Sequence, residues 1–221
     1  MDSDTGTLEG PATAQQEAYR FIRREIFSGA IRPGARLNLA AIAEALEISR
    51  MPVRDALRQL DTEGLVTLKP NRGARVVSLS PAEVEELYLI RAALEPLAVR
   101  LAVPQVTDDD LDRLALMKDQ LDRSRDRRAL WLERHRAFHD TINGLSRHQH
   151  LTRQIARVSD LLAPYLAVHI MDREINEIPG HEHDAVLQAI RSRDPERAET
   201  VMKDHIMMSL RQILELFHPG M

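Results

Sequence analysis

The hydrophobic pattern in the first third of the chain changes from a helical period to a strand period, and this change limits the possible folds most strongly. Apolar residues recur every three or four positions at 39–46 and again at 50–63, and only three residues separate the two segments. The runs 65–69 and 74–77 are rich in β-prone residues, and a Pro-Asn-Arg-Gly turn separates them. The sequence therefore predicts two closely linked helices followed by a β-hairpin.

An additional helix at 12–28 completes the pattern of a winged helix-turn-helix, in which three helices are followed by a β-hairpin wing. Such a domain places one helix in the major groove of DNA, and that helix needs hydrogen-bond donors near its N-terminus. Arg50, Arg54 and Arg58 are four residues apart and therefore share one face of the third helix. Ser49 can cap the N-terminus of this helix. The pattern predicts a DNA-reading face, although the same spacing also fits a solvated surface.

The charge is divided unevenly along the chain, although the net charge is only −4. Residues 11–78 carry eleven Arg and Lys against seven Asp and Glu, whereas residues 79–221 carry nineteen against twenty-four. This division favours a basic domain that contacts DNA and a separate acidic domain, but uneven solvated surfaces would give the same numbers. Residues 1–10 lack periodic apolar positions, so we expect a disordered tail at 1–10, a DNA-binding domain at 11–78 and a second domain at 79–221.

The second domain has helical spacing throughout, so we expect a mostly α protein that ends in an all-α six-helix bundle. The predicted helices are 81–103, 107–124, 127–145, 147–171, 179–192 and 195–217. Aromatic residues make up only 4% of the chain, so the core must consist mainly of Leu, Ile, Val, Ala and Met. The long apolar helices indicate that part of the bundle surface is buried between two copies, which predicts a homodimer.

The composition also limits the chemistry and the location of the protein. The chain has no cysteine, which excludes disulfides, thiolate metal sites and cysteine nucleophiles. No apolar run approaches the roughly 20 residues of a membrane span, and the first ten residues are acidic and polar rather than signal-like. We therefore expect a cytoplasmic protein with no membrane partner.

Histidines are concentrated in the second domain, where eight of the nine lie between residues 135 and 205. His135 and His139 are four residues apart on one predicted helix and can reach a single metal ion. His183 and His205 lie on two later helices among apolar residues, and a histidine that faces inward among such residues needs a partner. A metal ion would supply one, but ordinary buried or exposed histidines remain the alternative at this point.

The stretch ISRMPVRDALRQLDTEGLV, preceded by PGARLNLAAIAEAL and followed by RGARV, closely resembles the DNA-binding domain of the GntR family. The resemblance implies that Arg50 and Arg54 contact DNA and that Asn71 and Arg72 contact it from the wing. Glu47 departs from the family, which usually has glycine between the two helices; if φ is positive there, a non-glycine residue costs about 1 kcal/mol. The candidate DNA-contacting residues are Ser49, Arg50, Arg54, Arg58, Asn71 and Arg72.

Residues 80–217 resemble the FadR C-terminal domain, called FCD, through the pieces LYLIRAALEPLAVRLA, RAFHDTI and HEHDAVLQAI. The resemblance implies a divalent metal held by an Asp and a His four residues apart and by two later histidines. His139, His183 and His205 match these ligands, whereas His135 occupies the aspartate position. An all-nitrogen set lacks a carboxylate charge and favours zinc, nickel or copper over magnesium or calcium, so we expect zinc or nickel. Six helices are typical of the shorter, VanR-like branch.

The same resemblance implies an effector, typically a small organic acid, in a cavity beside the metal. Arg91 lies on the first bundle helix in the Arg-x-x-Leu-Glu context of the family and could bind a carboxylate bidentately. A surface ion pair between Arg91 and Glu95 is the alternative. Asn143, one turn beyond His139, is the second candidate for contact with the effector.

Together these features predict a ligand-responsive, DNA-binding transcriptional regulator that acts as a repressor and is not an enzyme. Its expected partners are a pseudo-palindromic operator in double-stranded DNA, a small carboxylate effector and a second copy of the chain. Two alternatives stay open: a metal-dependent enzyme built on the histidine-rich bundle, and a DNA-binding protein with a purely structural metal. Against the enzyme, Asp140 and Asp184 adjoin the ligand histidines but point away from them on the helix.

Overall fold

The computed structural model describes residues 12–69, 73–172 and 181–217. The chain divides into two compact units. Among the described residues, the first unit contains those up to Ile26 and those within Gly34–Val77, and the second contains Phe27–Pro33 and those from Ser78 onward. Phe27–Pro33 therefore belongs to the second unit, although it lies in sequence between the two parts of the first.

The first unit consists of helices and a small antiparallel sheet. Its elements are α1 (Ala14–Phe27, which ends in the second unit), β1 (Arg36–Leu37), α2 (Leu39–Ala45), α3 (Arg50–Thr62), β2 (Val66–Lys69) and β3 (Gly73–Val76). In the described residues the strand order is β1-β3-β2. The predicted helices and hairpin are present, which confirms the winged helix-turn-helix. Strand β1 was not predicted, because a two-residue strand that pairs Arg36 with Arg75 leaves no local periodicity in the sequence.

The connections around α2 and α3 confirm two of three local predictions. Asn38 caps α2, because its Oδ1 atom accepts hydrogen bonds from the backbone N–H groups of Ala40 and Ala41 at 3.0 and 3.3 Å. Glu47 has a φ of 54°, so the turn does use the left-handed region where glycine is favoured. The capping prediction for Ser49 is wrong, because Ser49 occupies the N-cap of α3 in an extended conformation but its side chain makes no capping hydrogen bond.

The core of the first unit joins the inner faces of its helices to one face of the sheet. Its most buried apolar residues are Ala18, Ile22, Ile26, Val53, Ala56, Leu57, Leu60, Leu65, Val66, Ala74 and Val76. Burial of each large aliphatic side chain contributes about 1.5–3 kcal/mol, so these contacts fix the orientation of α3 about its own axis. The opposite face of α3 is thereby turned to solvent.

The described part of the second unit forms six α-helices, as predicted. They are α4 (Pro81–Ala102), α5 (Asp108–Asp122), α6 (Arg128–Gly144), α7 (Gln149–Asp172), α8 (His181–Arg191) and α9 (Pro195–Leu214). Capping boxes begin two of them: Ser80 with Glu83 at α4, and Thr107 with Asp110 at α5. None of the helices in the described ranges is both long and apolar enough to cross a lipid bilayer.

The interior of the second unit brings the histidine-bearing helices together. Helix α4 packs along α9, α8 packs on α9, and α5 and α4 each pack against α6. Tyr88, Leu114, Phe138 and Ile206 are among the buried apolar residues of this core. The packing places α6, α8 and α9 around one point, and α4 closes one side of it.

Candidate functional site

The outer face of α3 carries the three arginines that the sequence places on one side of the helix. Arg50, Arg54 and Arg58 are all exposed, whereas Val53 and Leu57 on the opposite side are buried. The first turn of α3 contains no acidic residue that would offset the positive end of the helix dipole. The dipole therefore adds to the positive charge of Arg50 and Arg54. This face has the charge and the donors that a DNA-contacting helix needs.

Arg58 differs from the other two arginines because it has a neighbour on its own helix. Its Nη1 atom lies 3.4 Å from Oδ1 of Asp55, and its side chain is 65% exposed. An exposed pair of this kind contributes about 0–1 kcal/mol, so Arg58 can exchange Asp55 for a phosphate at little cost.

The tip of the wing is only partly described. Asn71 and Arg72 lie outside the described residues, so their DNA contacts stay predictions. The strands on either side are paired up to Lys69 and Gly73, which fixes where the tip begins and ends. Arg75 on β3 is exposed and donates a hydrogen bond from Nη1 to the backbone carbonyl of Gly34 at 3.0 Å.

Four histidines from three helices meet in the second unit, as the sequence predicted. Nε2 of His139 lies 3.4 Å from Nε2 of His183 and 3.3 Å from Nε2 of His205, and one ring nitrogen of each of these three and of His135 lies within 4.8 Å of the others. Zn–N bonds of about 2.0–2.1 Å in a tetrahedron would put the nitrogens about 3.3 Å apart. The His139–His183 and His139–His205 distances therefore match the spacing of metal ligands.

Hydrogen bonding among the histidines explains the cluster less well than a metal does. An imidazole nitrogen carries either one proton or one lone pair, so Nε2 of His139 cannot make good hydrogen bonds to both His183 and His205. Nδ1 of His139 and Nδ1 of His205 are also buried without a hydrogen-bond partner. A cation among the Nε2 atoms would bind the lone pair of all three rings at once and would leave each Nδ1–H free to face another acceptor.

The protonation state of the cluster suits metal binding. Burial, followed by the neighbouring imidazoles, lowers the pKa of His135 and of His183 well below 6.5. Burial also lowers the pKa of His205, against the opposing effect of Glu182, which raises it. Neutral imidazole is the form that binds metal, so at least three of these ligands are ready to bind at neutral pH.

Two carboxylates lie behind the histidines, and the sequence reasoning missed both. Oε2 of Glu95 lies 3.5 Å from Nδ1 of His139, and Oε2 of Glu182 lies 3.6 Å from Nδ1 of His205. Both distances are just beyond a hydrogen bond, and each carboxylate faces the nitrogen opposite the one that would hold the metal. The candidate ligand set itself contains no carboxylate, but two carboxylates lie behind the ligand histidines, on the side of each ring away from the ion.

Arg91 forms an ion pair with Glu95, the carboxylate behind His139. Its Nε atom lies 2.5 Å from Oε1 of Glu95, and the two side chains are 11% and 1% exposed, so the pair is buried rather than on the surface. Burial alone would raise the pKa of the Glu95 carboxyl, but Arg91 and His139 hold it well below its usual range. The charge of Arg91 also lowers the pKa of His135, so this guanidinium acts on the histidine cluster.

Two further cations and the buried side chain of Asn143 lie near the cluster. Lys118 on α5 forms an ion pair with Asp122 at 2.6 Å and another with Asp184. The charges of Lys118 and Arg125 add to burial and the other histidines in lowering the pKa of His183. Oδ1 of Asn143 is buried without a hydrogen-bond partner. The cations near the cluster are thus each paired with a carboxylate, whereas Oδ1 of Asn143 can still accept a hydrogen bond.

The face of α6 towards the cluster extends beyond the two histidines. Trp131 stacks on His135 with ring centroids 4.8 Å apart and an angle of 23° between the rings, which restricts the orientation of His135. Trp131, His135, His139 and Asn143 follow each other every four residues. The i,i+4 rule that found the histidines could also have found Trp131.

Each of the two units matches the model of a known protein family. Residues 14–76 match the model of bacterial regulatory proteins of the gntR family, and residues 86–207 match that of the FCD domain. The chain is similar to the HTH-type transcriptional repressor GlaR of Escherichia coli K12, with 30% identity over 201 residues that cover 86% of this chain and 91% of GlaR. It is also similar to the Nta operon transcriptional regulator of Aminobacter aminovorans, with 30% identity over 189 residues, 84% of this chain and 87% of that protein.

A solved structure has a similar fold. The structure of E. coli McbR/YncC superposes with a TM-score of 0.84 at 23% identity and covers 94% of this chain and 100% of that chain. The similarity includes both units, so the sequence-level match and the fold agree on the same two-part organisation.

Proposed function

Since the chain belongs to the gntR family of bacterial regulatory proteins and carries an FCD domain, we propose that it is a repressor whose effector is a small carboxylate bound at a divalent metal ion. Membership of this family makes the protein a DNA-binding transcriptional regulator with an effector-binding domain, not an enzyme. The repressor role is supported by the name of GlaR. The metal and the carboxylate are supported by the side chains that surround the histidine cluster of the second unit.

The observation that carries the metal is the cluster of four histidines, whose ring nitrogens lie within 4.8 Å of one another. His139, His183 and His205 supply three ligands and His135 the fourth. An all-imidazole set favours zinc or nickel, and the carboxylate of Glu95 offsets part of the charge from behind His139. When bound, the ion would supply a Lewis-acidic centre that attracts a carboxylate oxygen if its coordination expands from four ligands to five.

The effector is a carboxylate because a bound divalent ion would add positive charge to a cluster whose nearby cations and carboxylates already balance each other. Arg91, Lys118 and Arg125 all act electrostatically on the histidines, and a bound divalent ion would add positive charge. An anion would offset the charge of the ion, and the buried Oδ1 of Asn143 would accept a hydrogen bond from an acid that also carries a hydroxyl. Binding of such an acid alters the affinity of the first unit for DNA.

DNA is bound by a homodimer, in which two α3 helices read the half-sites of a pseudo-palindromic operator. Arg50 and Arg54 contact base edges or phosphates, and Ser49, Arg58, Asn71 and Arg72 support this contact. In this arrangement a change in the spacing of the two DNA-binding units changes operator affinity.

Metal content tests the proposal. The purified protein should contain close to one zinc or nickel ion per chain, and stripping and reloading the metal should lower and then restore the melting temperature. His205→Ala should lose most of this stabilisation, whereas His135→Asp should keep it because aspartate is an alternative ligand at that position. His150→Ala, a change at an exposed histidine of α7, is the matched control. A wild-type protein that neither contains nor responds to zinc or nickel would contradict the metal site.

A second assay separates a sensing metal from a purely structural one. Lactate, malate and succinate are added to the metal-loaded and the metal-free protein, and melting temperature and operator binding are followed. A sensing site predicts a stabilising acid that acts only on the loaded protein and changes its affinity for DNA. Stabilisation by metal with no response to any carboxylate would favour the structural alternative, in which four histidines close the coordination sphere.

A further inference from the structure

Helix α4 carries an apolar stripe on its outer face, opposite the side that packs into the bundle. Leu89, Ala93 and Leu97 are exposed, with Leu89 and Leu97 at 51% and 39%. Glu86 and Arg100 are exposed at the two ends of the same stripe. At 3.6 residues per turn all five residues lie within about 40° of the direction of Ala93. The stripe is therefore straight and continuous rather than a scatter of single exposed residues.

The order of residues along this α4 stripe is symmetric about Ala93. The leucines lie four residues before and after Ala93, and the two charges of opposite sign lie seven residues before and after it. An identical helix running in the opposite direction would therefore place Glu86 beside Arg100, Leu89 beside Leu97, and Ala93 beside its own copy. Self-complementarity of this kind is the requirement for a two-fold interface between identical subunits.

From this symmetry we infer that the α4 stripe is the dimer interface, with two antiparallel copies of α4 crossing at Ala93. The inference builds on the homodimer in the proposed function and adds the surface that forms it. The small side chain of Ala93 allows the helix axes to approach to roughly 8 Å at the crossing point. The two Glu86–Arg100 contacts then fix the antiparallel direction, because a parallel pair would put like charges together.

Leu116 on α5 is also an exposed leucine, but it does not belong to an apolar stripe. Leu116 on α5 is 57% exposed, yet the residues one turn before and after it are Asp112, Arg113, Asp119 and Gln120. A single exposed leucine among charges is ordinary for a protein surface, whereas a contiguous apolar stripe with charged ends marks an interaction site. Leu116 thus provides a control position of similar exposure in the same unit.

Cysteine cross-linking tests the inference directly, because the wild-type chain has no cysteine. A single cysteine can form a disulfide only with a second copy, and only if the two Cβ atoms come within about 3.5–4.5 Å. Ala93→Cys should give a covalent dimer on mild oxidation, and Leu116→Cys should not. Diamide is the oxidant of choice, since copper would bind the histidine cluster.

The result separates this inference from the proposed function. If the protein sediments as a dimer but Ala93→Cys does not cross-link, or if both variants cross-link equally, the α4 interface is wrong and the homodimer stands. If the wild type sediments as a monomer at micromolar concentration, both are wrong. A cross-link confined to Ala93→Cys supports the interface.

A charge exchange provides a second measurement that does not depend on disulfide geometry. Glu86→Arg places two arginines together twice per dimer and should raise the dimer dissociation constant by about tenfold or more. Combining Glu86→Arg with Arg100→Glu should restore dimerisation, although it replaces the 3.1 Å pair between Arg100 and Glu199 by two like charges on the same subunit. Equal dissociation constants for Glu86→Arg and wild type, or no recovery in the double variant, would overturn the inference.

Discussion

Replacement of Glu95 by glutamine removes one negative charge from behind the metal ligands and leaves the shape of the side chain almost unchanged. In the wild type the carboxylate lies 3.5 Å from Nδ1 of His139 and 2.5 Å from Nε of Arg91. Loss of a carboxylate that orients and polarises a ligating histidine weakens metal affinity 10–100-fold in other sites, which corresponds to about 1.4–2.7 kcal/mol. We expect Glu95→Gln to fall within this range for zinc.

The same change also affects folding, and the assay must separate the two effects. Arg91 would lose its counter-charge in a buried position, and removal of one partner of a buried ion pair costs about 3–5 kcal/mol. Glutamine can still accept a hydrogen bond from Arg91, so the destabilisation should be smaller than that. Zinc affinity is therefore measured by competition with a chromophoric chelator at a temperature where circular dichroism shows both proteins to be folded.

The control for this experiment is Glu85→Gln, the same chemical change at an exposed position of the same helix. It should leave zinc affinity at the wild-type value. If Glu95→Gln, fully folded, binds zinc within twofold of wild type, the carboxylate does not act on the metal through His139. The account of charge compensation would then be wrong, although the histidine ligands would stand.

Three further predictions concern DNA binding and pH. Arg50→Ala or Arg54→Ala should each cost about 1–3 kcal/mol in operator binding if the contact to guanine is bidentate, and unchanged fluorescence anisotropy titrations would refute this. Arg72→Ala should weaken binding to all sequences alike and flatten the salt dependence by about one unit of slope, whereas an effect at one base position only would show base reading. Because burial lowers the pKa of His135 and His183, the unfolded metal-free chain takes up protons below about pH 6.5 that the folded chain does not. Below about pH 6.5 the free energy of unfolding should fall by up to about 1.4 kcal/mol per pH unit for each histidine, so the urea midpoint should be lower at pH 5.5 than at pH 7.5, and a constant midpoint would contradict this.

The helices could be predicted closely because their signals are local. Predicted and observed ends differ by only a few residues where a capping residue marks them, as Ser80 does for α4 and Asp194 for α9. Strand β1 was missed because its two residues are defined only by pairing with β3, which lies far away in sequence. Ser49 shows a finer limit: the residue type placed it correctly at an N-cap, but side-chain hydrogen bonding depends on the conformation adopted.

In the candidate metal site too, local sequence signals could be read, whereas contacts between distant parts of the chain could not. His135 and His139 are visible from i,i+4 spacing on one helix, and His183 and His205 were assigned by their apolar surroundings and the family resemblance. Glu95 could not be found in this way, since it acts on His139 from another helix, 44 residues earlier in the chain. The sequence suggested Arg91–Glu95 only as a surface pair, because spacing reveals that two residues are neighbours but not that both are buried.

Selection from a pool of random DNA tests the central claim most directly, because the pool contains every short operator sequence and none has to be chosen in advance. The protein is incubated with the pool, bound DNA is recovered over several rounds, and the product is sequenced. A dimeric regulator that reads DNA through α3 predicts one enriched motif with two half-sites related by two-fold symmetry, about one helical turn apart or a multiple of it. The variant with Arg50→Ala and Arg54→Ala should not enrich it. Absence of any enriched motif, or recovery of the same motif by that double variant, would contradict the account.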